Sequence, residues 1–451
     1  MIPPKPPAAP KGGGVLRLAR AFRRDLLSAL PAHLYHARMA EFRSPLIHSF
    51  FCNDPALVRL VLSERPADFP KSNRLREGLA PLLGRSVFVT NGAEWQFQRR
   101  IIDPAFAGGR LHLIFPAMRA AADAALTRLP EGEQDIEPEC SHAAADIIFR
   151  TLFSLPIEHE TASRVFHAFR AHQDAQPVVN PAALIPWPRW LPRLHSHQTR
   201  RTAREIRGLI ADMVNRRMQA IRNGTAPDDL ATRIMTTPDP ETGRCFTAAE
   251  MTDQVAIFFL AGHETSAAAL AWSLWLLAAN PEWQARIAAE ADAAGPLTSF
   301  SDLSALRLTR NTFREAMRLY PPVPMMVRQV TKPEILRDRP AKPGAQIVLS
   351  PWHLHRHDRI WPDPDSFDPE RWDRPDNRQP ARNAYIPFSA GPRVCPGAGF
   401  AMAEGVLMLA LIARNFHLSP GAEPPIPLAR LTTRGKNGIR ITLKRRNTAA
   451  N

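Results

Sequence analysis

One stretch gathers residue types suited to holding a metal through sulfur: Phe388-Ser-Ala-Gly391-Pro-Arg393-Val-Cys395-Pro-Gly397. Cys395 stands in a loop interrupted by Gly and Pro, directly before a strongly helical pattern over residues 401–416. Backbone N–H groups at a helix entrance, with the helix's positive end behind them, favour the anionic form of sulfur, which is the form that ligates metals. Gly391 and Gly397 remove Cβ atoms where a flat macrocycle would approach the backbone. Arg393 can reach a carboxylate at the edge of such a ring, and Phe388 offers an apolar lid on the sulfur side. A cysteine by itself is more often a small buried hydrophobe; the weight rests on the spaced set.

A second stretch, Ala261-Gly262-His263-Glu264-Thr265, lies in the middle of a long helical pattern. Thr247-Ala-Ala-Glu250 has the spacing of a capping box and opens that pattern, and Pro281 stops it. Phe258, Ala261, Gly262, Thr265, Ala269 and Trp272 recur at helical spacing on one face, where small side chains let a planar ligand approach. A glycine in a helix interior costs about 1 kcal/mol relative to alanine, so Gly262 needs a reason. Thr265 can bond back to the Ala261 carbonyl and loosen the helix locally. Trp95 and Arg99, spaced i, i+4, project from one helical face, where an indole N–H and a guanidinium can hold a carboxylate. Glu315 and Arg318, spaced i, i+3, form an ion pair on a helix ended by Tyr320-Pro-Pro. Val323-Pro-Met325-Met326-Val-Arg328 reads as an extended apolar segment closing on a cation. His353, His355 and His357 alternate, so in a strand they share one face; with Asp358, Asp363 and Asp365 nearby they form a competing metal-site candidate.

The set Phe388, Gly391, Arg393, Cys395 and Gly397 resembles the haem-binding loop of the cytochrome P-450 family. Residues 261–265 resemble that family's oxygen-activating helix, Trp95 and Arg99 its Trp-x-x-x-Arg helix, and Glu315 with Arg318 its Glu-x-x-Arg, joined by Arg371 in Pro369-Glu-Arg371-Trp372. The resemblance spans residues 31–445. It implies a mainly α fold with small β-sheets: a triangular helical prism with haem between a long central helix and the Cys-loop helix. It implies haem b (iron protoporphyrin IX) with Cys395 as axial thiolate, which favours O–O cleavage. Trp95, Arg99, Arg328 and Arg393 would hold the propionates, with Lys71 a weaker candidate. Phe388, Gly391, Gly397, Ala261 and Gly262 would surround the ring, Glu264 and Thr265 would deliver protons, and Glu315, Arg318 and Arg371 would brace the sulfur side. Val87, Phe88, Phe258, Met325 and Met326 would line an apolar substrate pocket. The implied activity is a monooxygenase that inserts one atom of dioxygen into a lipophilic small molecule by hydroxylation or epoxidation. A peroxygenase on the same scaffold, a haem sensor or carrier without turnover, and a metal hydrolase built on His353, His355 and His357 are the competing classes.

The rest of the chain must position these residues. Its 451 residues carry no Gly/Ser linker, repeat or low-complexity block, which suits one large helical unit over residues 15–446. Residues 1–14, rich in Pro and Gly, read as a flexible tail, and residues 447–451 as a polar end. The four cysteines, Cys52, Cys140, Cys245 and Cys395, form no Cys-x-x-Cys pair. That argues against a disulfide scaffold or zinc ribbon and for a reducing cytoplasm. No secretory signal is visible. The longest apolar run, residues 255–279, carries His263 and Glu264 at its centre and reads as a buried helix, because intramembrane charge is costly. The net charge is +15. No nucleic-acid-binding signature accompanies it, so the basic balance points instead to an acidic protein partner or an anionic surface. A basic amphipathic stretch over residues 15–30 and a Pro/Trp-rich segment over residues 176–192 are the candidate sites of peripheral membrane contact. Only 56 residues follow Cys395, so electrons are expected from a separate ferredoxin or flavodoxin with its reductase.

Overall fold

The computed structural model describes residues 1–9, 25–43, 48–174, 195–429 and 431–446. The proposed membrane-contact segments fall largely outside that set. Helices dominate, arranged around Ala248–Ala278, the central helix, 31 residues long. The capping box forms as its spacing predicts: the Glu250 N–H donates to Thr247 Oγ1 at 3.3 Å, and the Thr247 N–H donates to Glu250 Oε2 at 2.9 Å. A helix apolar on all sides must be covered on all sides. Glu137–Phe153, His197–Arg222, Arg307–Leu319 and Ala398–Asn415 supply that cover. From Met251 to Ala278 every residue is buried except Phe258, Ala261, Gly262 and Thr265. These four are spaced i, i+3, i+4 and i+7, so they form a single uncovered stripe.

By length and composition the central helix and Ala398–Asn415 are apolar enough to cross a membrane, but 78% and 67% of their most apolar windows are buried in protein. Both are core helices. Ala398–Asn415 begins directly after the Cys395 loop.

Three elements bring the remaining site residues inward. Gly92–Phe106 carries Trp95 and Arg99. Arg307–Leu319 carries Glu315 and Arg318. A four-stranded sheet takes the order Met39–Arg43, His48–Cys52, Gln346–Leu349, Met326–Gln329, with only the middle pair parallel. Its last strand holds Arg328, and an isolated bridge ties Arg328 to Lys71. Residues 1–9 lie against the body: the Phe367 N–H donates to Met1 O at 3.1 Å, the Tyr320 hydroxyl donates to Pro4 O at 2.8 Å, and Lys5 pairs with Asp365.

Candidate functional site

The Cys395 loop is held by its own backbone. The Cys395 N–H donates to Phe388 O at 2.9 Å, and Ser389 and Gly391 turn the chain at φ +63° and +66°. A Cβ on Gly391 would run into the carbonyl of Leu62. Gly391 therefore answers to a tight turn against the Leu60–Glu64 segment. Gly397 is different. The nearest atom to a Cβ there would be Cys395 Sγ, at 3.9 Å, so this glycine keeps the space beside the sulfur open.

Cys395 is the exposed member of the four cysteines; Cys52 and Cys140 are buried and Cys245 is half-buried. Burial still pushes the Cys395 thiol up from its ordinary value, while the Gly397 N–H and the Arg99 charge pull it down. At Cys52 burial, with the Asp54 charge adding to it, pushes the thiol up to about 12.

Four cations converge beside this loop. The Arg99 Nη1–H donates to Val394 O at 2.7 Å, one residue from the sulfur. The Arg393 guanidinium lies 4.4 Å from the Trp95 ring centre. Lys71 is held well below its ordinary value by burial and by the charges of Arg393, Arg328 and Arg99. Arg328 and Arg393 are each lowered to about 10, first by burial and then by a neighbouring arginine. Arg99 pairs with Asp103 at 2.6 Å. Among the described residues no carboxylate pairs with Lys71, Arg328 or Arg393; Lys71 donates to Val87 O at 2.7 Å, and Arg328 Nε has no acceptor. Buried cations are ordinarily paired. This cluster lacks its anions.

On the central helix, the Thr265 hydroxyl donates to Ala261 O at 2.6 Å, as its type and position predict. At Gly262 a Cβ would meet Ile148 Cδ1 at 2.7 Å, so the glycine also eases the crossing with Glu137–Phe153. Glu264 is buried and turns away from the uncovered stripe, accepting from Arg434 Nη2 at 2.7 Å. Burial raises its carboxyl and Arg434 opposes the rise. Arg434, 170 positions along the chain, gave no sign in the sequence. Ser266 donates to Glu404 Oε2 at 2.7 Å, joining the central helix to the helix after Cys395.

Glu315 accepts from Arg318 Nη2 at 2.8 Å and from Arg371 Nε at 3.2 Å, all three fully buried. The triad expected from the sequence is present. The histidine run is not. Residues 351–354 form a helical turn, so His353, His355 and His357 share no strand face. His353 bonds Ser350 Oγ at 2.8 Å, and His355 Nε2 accepts the Ile386 N–H at 2.9 Å. Burial lowers both rings to about 3. Among the described residues no three His, Cys, Asp or Glu side chains are placed to hold a metal ion, which removes the hydrolase reading. The apolar candidates also divide. Val87, Phe258, Phe388 and Met325 pack with the main core, whereas Met326 packs into a second core behind the four-stranded sheet. Met326, the first residue of its strand, packs on that second core and leaves the list of wall residues. Phe88 is 37% exposed, with Lys71 Nζ 5.7 Å from its ring centre.

Comparison with known proteins gives this arrangement a family. The sequence matches the Cytochrome P450 family over residues 39–442. This chain belongs to that family. The P450 is 32% identical over 406 residues to cyclooctat-9-en-7-ol 5-monooxygenase of Streptomyces melanosporofaciens, covering 88% of this chain and 86% of that one. It is 30% identical over 420 residues to cyclooctatin synthase of the same organism, covering 92% and 89%. The crystal structure of the cytochrome P450DA heme domain superposes with a TM-score of 0.81 at 23% identity, covering 99% of both chains, which establishes the fold. The protein is an oxidoreductase that incorporates oxygen, uses haem iron, and works with a substrate, dioxygen and a redox partner.

The residues present fit haem. A metal-centred flat ring with carboxylates at its edge matches an accessible thiol, an uncovered stripe on the central helix, and three cations that no carboxylate pairs among the described residues. A charge-assisted hydrogen bond contributes about 1.5–3 kcal/mol, or roughly ten- to a hundredfold in affinity. Arg328→Leu and Arg393→Leu are each expected to weaken haem retention by that order without unfolding the protein. Haem transfer to a scavenging apoprotein measures this. Equal transfer rates would mean the cluster serves something else.

Proposed function

We propose that this P450 is a haem-thiolate monooxygenase that hydroxylates or epoxidises a lipophilic small molecule. Its cofactor is haem b held by Cys395, and its electrons come from a ferredoxin or flavodoxin with a reductase. One observation carries the reading: the accessible cysteine and the cations without anions occupy the same place, linked through Arg99, which touches the Cys395 loop and acts on the sulfur. A net charge of +15 suits an acidic redox protein, steered by charge and weakened by salt.

Bound haem supplies dioxygen activation and oxygen insertion. The chain's residues bind it and move protons. Cys395 would hold the iron as a thiolate, an anion that the Gly397 N–H and the Arg99 charge would stabilise. Lys71, Arg328, Arg393 and Trp95 would hold the propionates. Phe258, edge-on to Phe106 at 5.7 Å, together with Val87 and Met325, would present an apolar wall to substrate. One relative is named for oxidising an unsaturated alcohol, which supports a lipophilic substrate here.

Thr265 Oγ1 stands on the uncovered stripe and can turn its proton from the Ala261 carbonyl toward that open face. Glu264, behind it, recharges that hydroxyl. A positioned proton donor contributes roughly 10²–10⁴ in rate, so Thr265→Ala is expected to keep its haem, release hydrogen peroxide, and lose at least about tenfold in product per dioxygen consumed. Unchanged coupling would remove the role assigned to Thr265. The first test of the whole reading is the reduced-plus-carbon-monoxide difference spectrum of the purified protein. A red-shifted thiolate band supports it; a histidine-type band, or no haem, refutes it.

A further inference from the structure

Behind the central helix lies a cavity of about 150 Å³ whose wall includes Asp135, Glu137, Arg170, Gln173, Glu264 and Arg434. Such a cavity holds several waters, each needing roughly 10–15 Å³. It is polar and partly open, and Glu137 and Glu264 both line it. The two acids are tied by one short strand, Thr433–Gly435. The Gly435 N–H donates to Glu137 Oε1 at 3.1 Å, and the adjacent Arg434 donates to Glu264 Oε1 at 2.7 Å.

We infer that Glu137 is the outer proton donor of this P450, passing protons through the waters of this cavity to Glu264. This rests on the role proposed for Glu264 and Thr265. The transfer balances as a relay. The O–H bond of Glu137 breaks, an O–H bond forms on Glu264, and the Glu137 carboxylate is reprotonated from solvent. A proton arriving on Glu264 cancels its charge and loosens the hold of Arg434. Glu137 thus acts through Glu264 as a positioning residue for the proton.

The charged and titratable groups facing Glu137 come from every neighbouring element. Asp135 lies on Gly132–Asp135, and Cys140 sits one turn along its own helix. Arg170 is on Glu160–Asp174, Glu264 on the central helix and Arg434 on the tying strand. Gln173, with its amide nitrogen lacking an acceptor, completes the ring. Burial raises Glu137 to about 7; Asp135 adds to the rise, and the Gly435 N–H and Arg434 oppose it. A carboxyl in that range is part protonated at neutral pH, as a relay needs.

The test uses holoenzyme. Infrared difference spectra of the ferric protein across pH 6–8 should show a protonated-carboxyl band that disappears near pH 7 and is missing in Glu137→Gln. A separate band from Glu404, which burial raises to about 8, should remain. Product per dioxygen should fall roughly tenfold in Glu137→Gln at pH 7.5, the low end of what proton donors supply, and lose the wild type's decline above pH 7. Glu137→Asp should restore a pH break; it also carries the test if Glu137→Gln folds poorly. Wild-type coupling and pH profile in Glu137→Gln, with Glu264→Gln and Thr265→Ala both uncoupled, would overturn this inference and leave the function intact. Wild-type coupling in all three would overturn the proton-delivery reading itself.

Discussion

Cys395→Ser is expected to produce a folded protein with no thiolate band after reduction and carbon monoxide, and product formation at background. The Cys395 side chain is exposed, so replacing sulfur with a hydroxyl removes little packing, and surface-like substitutions of this kind stay within about 0.5 kcal/mol. The chemistry is another matter. The Gly397 N–H and the Arg99 charge act against burial and stabilise a sulfur anion, but a serine hydroxyl is far too basic for the same neighbours to ionise. Without a thiolate the electron push that favours O–O cleavage is absent. Cys52→Ser, Cys140→Ser and Cys245→Ser supply the contrast, because none of them adjoins the cation cluster. They should keep the band in whatever fraction folds, although Cys52 and Cys140 are buried and a hydroxyl there costs stability. A normal thiolate band in Cys395→Ser would move the ligand elsewhere. Loss of the band in one of the other three would identify the true one.

The parts of this site that were legible in the sequence share a property: their meaning is local. The capping box of Thr247 and Glu250, the back-bond of Thr265 and the Glu315–Arg318 pair are fixed by spacings of three or four residues, and all form. Where the reading failed, the reason lies far along the chain. Gly391 is set by the Leu62 carbonyl, and Gly262 by Ile148. Neither contact was visible in the local sequence. The alternation of His353, His355 and His357 mimicked a strand. Pro351 and Ser350 instead start a helical turn, the Ser350 hydroxyl accepting the His353 N–H. Arg434 and Glu137 were invisible because their partners sit 170 and 298 positions away.

Glu315→Gln should do damage of a different kind, to the fold and through it to the haem loop. The Glu315 carboxylate receives N–H bonds from Arg318 and Arg371 and also the Asp368 N–H at 3.2 Å, with all three charged side chains shielded from water. Gln keeps one acceptor but turns an NH₂ group toward guanidinium donors, and two buried positive charges then lack a counter-ion. Breaking such a set by removing one partner costs about 3–5 kcal/mol, a large share of the roughly 5–15 kcal/mol that holds a protein folded. The injury should spread to the sulfur side. Arg318 donates to His355 O at 2.8 Å and Pro364 O at 2.6 Å, and Arg371 to Pro362 O and Asp363 O, so the pair ties down residues 355–371. His355 in turn accepts the Ile386 N–H, and Ile386 O accepts from Ser389 at the start of the Cys395 loop. Loss of the carboxylate should therefore lower the denaturation midpoint and the haem content together, with part of the remaining thiolate band converting to an inactive form. A variant that loses stability but holds haem normally would show that the triad braces the core and not the loop. Replacing all three residues with apolar side chains of similar volume separates charge from packing, because it leaves no buried ion unpaired. If that triple variant regains stability while its haem loop stays loose, the carbonyl ties from Arg318 and Arg371, and not the ion pairs themselves, set the position of Cys395.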